Sequence, residues 1–209
     1  MGKVMIVDDE PDVRYIVKKM LKEEGYGVVE AESGADCLEK IKRERPDLVL
    51  LDIMMPGMDG WEVLEEIQND KDLKSTSVTM FTIKPVTPET LQRKGLEGLV
   101  DYIVKPFSKE GFLDSVKKIF GTISEIDYVK KQLESVSDDL ALEYEKIVRA
   151  ERLHQNLLTM VQNVLIQRKE DGSMDDIQSF EDVIRSESKL IESYKERRRE
   201  IEGMVKMPG

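Results

Sequence analysis

Short apolar runs alternate with amphipathic helical stretches from the N-terminus to about residue 121. Val4-Met5-Ile6-Val7 reads as a buried strand, and Val13, Ile16, Val17, Met20 and Leu21 then recur at helical spacing. A strand around Val28-Val29 leads to a helix through Ile41. Leu48-Val49-Leu50-Leu51 is near-continuously apolar, as a central parallel strand covered on both faces should be. A helix from about Gly60 and a strand from Val78 to Phe81 follow. Thr87 as N-cap with Pro88 at the first helical position opens another helix. The last strand is Tyr102-Ile103-Val104, and the last helix of this region runs to about Phe120. Five such alternations predict an α/β fold with a five-stranded, doubly wound parallel sheet. Ligands of such sheets sit at the carboxyl ends of the strands.

After Thr122 the strand pattern stops and helix formers dominate. Ile126, Val129, Leu133, Val136 and Leu140 step by three and four, which is a heptad seam. The register then slips by one four-residue step to Tyr144 and Ile147, a stutter. Leu157, Val161 and Val164 carry the stripe to about Lys169, predicting one long helix. Glu170-Asp171-Gly172-Ser173 is a turn signal, and Ser173 with Asp176 has the spacing of a capping box. A second stripe runs through Ile177, Phe180, Ile184, Ile191, Tyr194, Ile201 and Val205. The expected organisation is therefore a domain over residues 1–121 and an all-α antiparallel hairpin or coiled coil over 122–209. Two such seams have more apolar surface than a hairpin buries alone, so a homodimeric four-helix bundle is the expected completion.

Charge narrows the choice of partner. The chain has a net charge of −11, with −5 of it in residues 122–209. That balance disfavours binding to nucleic-acid phosphates or an anionic membrane. The Arg197-Arg198-Arg199 cluster is flanked by Glu196 and Glu200 and reads as a solvated face. A DNA-reading output module would be basic and would show a compact helix-turn-helix, so direct DNA contact is not expected. Cys37 is the single cysteine, which rules out an intrachain disulfide and suits a small buried hydrophobe beside Leu38 and Ile41. No run approaches the roughly 18 apolar residues of a membrane span. No basic stretch precedes an apolar one at the N-terminus, and Met1-Gly2 is followed by Ile6 where a myristoylation signal wants Ser or Thr. The chain reads as cytoplasmic.

The chemistry lies just past the strands. Asp8 and Asp9 follow the first, Asp52 the third, Thr82 the fourth and Lys105 the fifth. Singly, the aspartates could start a helix or cap a loop. Together they form a pocket of three carboxylates that needs a cation, and all-oxygen ligands favour a hard ion such as Mg²⁺. A lysine and a hydroxyl beside it suit a phosphoryl group, whose transfer needs positioning and charge stabilisation above all.

The stretches VMIVDDEP (Val4 to Pro11), LDIMMPGMDG (Leu51 to Gly60) and DYIVKPF (Asp101 to Phe107) resemble, in order and spacing, the motifs of the CheY-like receiver family of two-component response regulators. The resemblance covers about residues 1–121. It implies that Asp52 is the nucleophile toward a phosphohistidine of a sensor histidine kinase, forming an aspartyl phosphate. It implies Mg²⁺ on Asp9, Asp52 and the Met54 carbonyl, with Asp8 assisting mostly through water. Lys105 would pair with phosphoryl oxygens, Thr82 would bond them after switching, and Tyr102 would turn inward with Thr82. A cis bond between Lys105 and Pro106 is also implied. Such a chain is a switch with self-catalysed phosphorylation and dephosphorylation rather than an enzyme, and it signals through a downstream protein partner. One departure is Ile83, where the family usually has a small residue. Its branched side chain is expected to shield the aspartyl phosphate from water.

Two other readings compete. The hairpin also resembles the phosphotransfer hairpin of histidine kinases, with His154 in Leu153-His154-Gln155-Asn156-Leu157-Leu158 as a phosphohistidine relaying to or from Asp52. Gln155 departs from that pattern, and His154 falls on the apolar seam, where a buried structural imidazole is expected. A Mg²⁺-dependent phosphatase on a similar sheet would want a second acid at position 54, which is Met54, and a cap domain.

Overall fold

The computed structural model describes residues 2–73, 75–93, 95–134, 136–172 and 176–204. Five strands, β1 (Lys3–Val7), β2 (Gly27–Ala31), β3 (Leu48–Leu51), β4 (Ser77–Thr82) and β5 (Leu99–Val104), form one sheet of order β2-β1-β3-β4-β5. All four pairings are parallel. Between the strands lie α1 (Pro11–Glu23), α2 (Gly34–Glu44), α3 (Gly60–Asn69) and the single-turn α4 (Pro88–Leu91). The strand order reverses between β1 and β3, which makes their carboxyl ends the topological switch point. Val7 pairs with Leu51 there, so the next residues of each strand, Asp8 and Asp52, emerge side by side. β3 is buried along its whole length, as its unbroken apolar run requires. Cys37 is buried among core residues, and loss of hydration pushes its thiol pKa up to about 12, leaving it an inert hydrophobe.

Three long helices follow: α5 (Lys109–Leu133), α6 (Asp138–Glu170) and α7 (Ile177–Glu202). The chain divides into two compact units, one of residues 1–85 and 98–120, the other of residues 86–97 and 121–209. α5 runs without a break through residue 121, where the sequence pattern placed a boundary. The second unit also includes α4 and its flanking residues, which the strand–helix alternation had assigned to the sheet domain.

The long helix expected from residue 122 to 169 is broken, and the break has a local cause. The Ser137 hydroxyl accepts a bond from the Leu140 N–H at 3.4 Å, and Asp138 and Asp139 occupy the first turn. Upstream, Leu133 O accepts from the N–H groups of Val136 and Ser137, both at 2.7 Å, which closes α5. The heptad stripe from Ile126 to Leu140 is thus two arms folded on each other. Ile126, Val129 and Leu133 pack with Ala141, Tyr144, Ile147, Val148 and Ile201 in one core. Val136, a predicted seam position, lies in the turn and is 59% exposed.

α6 and α7 do form an antiparallel hairpin, tied by Glu143–Arg197, Glu151–Arg198, His154–Glu187 and Lys169–Glu181 pairs. Leu157, Val161, Phe180, Val183, Ile191 and Ile201 are buried within the single chain. The α5 arm and residues 86–97 pack on the same helices and cover part of their apolar surface, while Tyr128, Leu142 and Ile166 remain exposed. The predicted Ser173 cap and Val205 lie outside the described residues. No helix among the described residues is long and apolar enough to cross a membrane.

Candidate functional site

Strand register builds the site. The Asp52 N–H bonds Val7 O at 2.9 Å, which ties the end of β3 to the end of β1. Asp8, Asp9 and Asp52 each offer a carboxylate oxygen within 4.8 Å of the others. Asp8 and Asp52 are buried and Asp9 is partly buried. On the far side, Thr82 pairs with Val104, and the Lys105 N–H bonds Thr82 O at 2.8 Å. This directs the Lys105 ammonium into the carboxylates, 2.5 Å from Asp8 Oδ2 and 3.5 Å from Asp52 Oδ2. The Lys105–Pro106 bond is cis.

The rest of the pocket positions these groups. Asp8 Oδ1 accepts from the Glu10 N–H at 2.9 Å, and Asp52 Oδ1 from the Met54 N–H at 3.3 Å. Lys105 Nζ also lies 4.7 Å from the centroid of the Phe81 ring, a cation–π contact that holds the ammonium in place. Phe81 is in turn packed with Phe107 and Phe112, at ring distances of 5.2 and 5.7 Å. At Gly60 an added Cβ would fall 2.2 Å from Asp52 O, so only glycine lets the start of α3 come this close to the site. The Arg14 guanidinium donates to Asp8 O at 2.7 Å. Arg14 and the Phe81 platform were not singled out in the sequence. The signal for Phe81 was an aromatic one residue before a strand's end, which by itself also describes ordinary packing.

Thr82 is fully buried, and its Oγ1 accepts from the Lys84 N–H at 3.3 Å. Tyr102 is turned inward and donates its hydroxyl to Lys84 O at 3.1 Å. Met54, two residues after Asp52, and Ile83, next after Thr82, are 52% and 57% exposed. His154 belongs to the helical unit, where its Nδ1 lies 2.5 Å from Glu187 Oε2 and its ring 5.8 Å from that of Tyr194.

Chemically the pocket has a surplus of negative charge. Lys105 pairs with two of the three carboxylates and Arg14 reaches the Asp8 carbonyl, and hard oxygen donors so closely grouped fit a small divalent cation such as Mg²⁺. The trio, Lys105 and Thr82 suit an incoming phosphoryl group, while the buried Glu187 partner suits His154 as a packing element.

Known proteins share this half of the chain. The chain is 34% identical over 110 residues to protein PilH of Pseudomonas aeruginosa, spanning 53% of this chain and 90% of PilH. It is 42% identical over 107 residues to the transcriptional regulatory protein ResD of Bacillus subtilis, spanning 51% of this chain but only 42% of ResD. It therefore spans less than half the length of that curated relative. Among solved structures, a CheY-like receiver domain protein of Methanospirillum hungatei is 38% identical with a TM-score of 0.53, over 59% of this chain and 98% of that one. The response regulator TrrA of Thermotoga maritima, solved in complex with Mg²⁺ and BeF, is 35% identical with a TM-score of 0.50, over 57% of this chain and 99% of that one. The model of the response regulator receiver domain matches residues 4–117, more than half of the chain and all of the site described above, so this protein belongs to the response regulator receiver family.

Proposed function

We propose that Asp52 accepts a phosphoryl group from a phosphohistidine of a sensor histidine kinase, and that the helical unit carries the signal onward. Receiver domains are phosphoacceptor switches rather than classical enzymes, and the surplus of buried carboxylate around Asp52 is the observation that carries this reading. An Asp52 carboxylate oxygen attacks phosphorus, and the phosphorus–nitrogen bond breaks with its electron pair returning to the donor imidazole. An acyl phosphate remains on Asp52, and attack by water later returns the carboxylate and inorganic phosphate.

Asp9, Asp52 and the Met54 carbonyl, with Asp8 mostly through water, would hold Mg²⁺, which neutralises charge on the carboxylates and the phosphoryl oxygens. Asp8 holds the Lys105 ammonium in place, within reach of Asp52 and of a group attached to it. Thr82 offers a hydroxyl that would leave Lys84 for a phosphoryl oxygen, and Ile83 at the rim would restrict the approach of water. The partner is a protein, not DNA. The helical unit would signal by docking a downstream protein or a second copy of itself.

The test is exposure to a small phosphodonor such as phosphoramidate with Mg²⁺, read by intact mass. The expected result is one added phosphoryl group, lost on chelation of Mg²⁺ and absent from Asp52→Ala. Uptake by Asp52→Ala at the wild-type rate would overturn the reading. Light scattering with and without beryllofluoride then separates a constitutive dimer from one that forms on phosphorylation.

A further inference from the structure

Leu153 to Gln167 of α6 contain no Asp, Glu, Lys or Arg, the longest uncharged run in a chain that is 36% charged. Burial explains one side of it, where Leu157, Val161 and Leu165 are covered. It does not explain the opposite side, where Thr159, Asn163 and Ile166 are exposed, Ile166 by 56%. A helix face left in water is ordinarily charged. α7 follows that rule, with Asp182, Arg185, Lys189, Glu192, Glu196 and Arg199 exposed along it.

The uncharged outer face of α6 has an order of its own. Arg152, Asn156, Thr159, Asn163, Ile166 and Glu170 follow one another at alternating steps of four and three, the spacing of a heptad seam about 27 Å long. Arg152 and Asn156 are partly buried, and the other four are exposed. A cation stands at one end, an anion at the other, and only uncharged side chains between them. Consider an identical seam laid on this one in the antiparallel sense, with the twofold axis at the level of Val161. Arg152 then meets Glu170, Asn156 meets Ile166 and Thr159 meets Asn163, each pair occurring twice. A parallel copy would instead set Arg152 on Arg152 and Glu170 on Glu170. Self-complementarity of this kind is what an isologous interface requires. Loss of charge at the centre with charge kept at the edge is also the composition of protein interfaces.

We propose that the face of α6 from Arg152 to Glu170 docks antiparallel on the same face of a second copy of this chain. The inference names the surface for the second-copy docking put forward above, and it does not depend on phosphorylation of Asp52. Ile166 is the apolar anchor, and the Arg152–Glu170 pairs close the two ends. Asn156, Thr159 and Asn163 fix register and direction at a cost in stability, so the association is reversible and depends on concentration.

The test is sedimentation equilibrium of the full chain over a range of concentrations, with and without beryllofluoride and Mg²⁺. The wild type should dimerise reversibly in at least one of these conditions. Ile166→Glu, at an exposed position, should weaken the dimer about tenfold or more by burying a charge in the seam. Tyr128→Glu, at an exposed apolar residue of α5, should leave it unchanged. Glu170→Arg and Arg152→Glu should each weaken it about fivefold, because each sets like charges against each other at both ends. An equimolar mixture of those two variants should recover wild-type association, since each chain then supplies the charge the other lacks. If Arg152→Glu does not fold, Ile166→Glu and Glu170→Arg still decide the matter. A monomer in every condition would overturn the inference and leave the face to a different protein. A dimer untouched by Ile166→Glu and Glu170→Arg, or a mixture of folded variants that does not recover, would overturn it as well. None of these results bears on phosphoryl uptake at Asp52, which intact mass reports separately.

Discussion

Both units bury charge, but they balance it differently. In the first, Asp8 and Asp52 are buried beside Asp9 with the Lys105 ammonium between them, and negative charge is left over. In the helical unit each buried carboxylate has its own partner. Glu145 meets Lys130 and Arg149, Glu151 meets Arg198, and Glu187 meets His154. Burying an unmatched charge costs far more than burying a matched pair. The contrast separates a site from a scaffold. The unmatched cluster is where the proposed cation and phosphoryl group would add favourable charge, and the matched pairs hold helices in register.

Removing charge should therefore have opposite consequences in the two units. The largest effect is expected at Glu187→Ala, which leaves His154 buried without its partner. Unfolding in urea should show a loss of about 3 kcal/mol, since breaking a buried pair from one side is costly. A neutral result would mean that the pair is not part of the scaffold and would revive His154 as a chemical group. Asp52→Asn should do the reverse, gaining about 1–2 kcal/mol in the absence of Mg²⁺ by relieving like-charge repulsion, while phosphoryl uptake disappears. A destabilised Asp52→Asn would show that the cluster is balanced after all.

A smaller effect is expected from pH. Burial disfavours ionised Glu145, but the bond from Lys130 and the charges of Arg149 and Lys130 outweigh it, so its pKa lies below the ordinary 4.5. A carboxylate depressed in the folded state contributes stability above its unfolded pKa, and that stability is lost as pH falls through the folded value. Glu145→Gln should flatten the acid limb of the stability curve below about pH 4.5 while leaving its midpoint near neutral pH less changed. An identical acid limb would place the titrating groups elsewhere. The smallest effect belongs to the rim. Ile83→Ala should speed loss of the Asp52 phosphate by a few fold, about 1 kcal/mol or less, in a mass-detected decay. An unchanged rate would remove the shielding role.

Most of the site was legible because a parallel sheet is a strict geometric device. Once β1, β3, β4 and β5 are recognised by their apolar runs, the residues after them must converge, and Asp8, Asp9, Asp52, Thr82 and Lys105 are those residues. The cis Lys105–Pro106 bond, expected from the family resemblance, is present. Legibility was poorer where one pattern admits two folds. Heptad spacing from Ile126 to Leu140 describes a straight seam and a folded one equally well. Ser137-Asp138-Asp139 was the available sign of a new helix start, and the strength of the stripe masked it. The residues between β4 and β5 carried a helix-start signal in Thr87-Pro88, but nothing in that signal says which neighbour will bury the helix.

The sequence by itself determined the alternation of strands and helices, the convergence of the acidic residues and lysine, and the acidic helical character of residues 122–209. These follow from local periodicity and from the spacing of residues after strands, which are properties of short stretches of chain. The tertiary structure decided what depends on distant partners. It broke the seam after Leu133 and folded its two arms into one core, gave the buried helical carboxylates Glu145, Glu151 and Glu187 their partners, and assigned residues 86–97 to the helical unit. Apolar burial is non-directional, so a stripe of side chains states that it must be covered without stating by what.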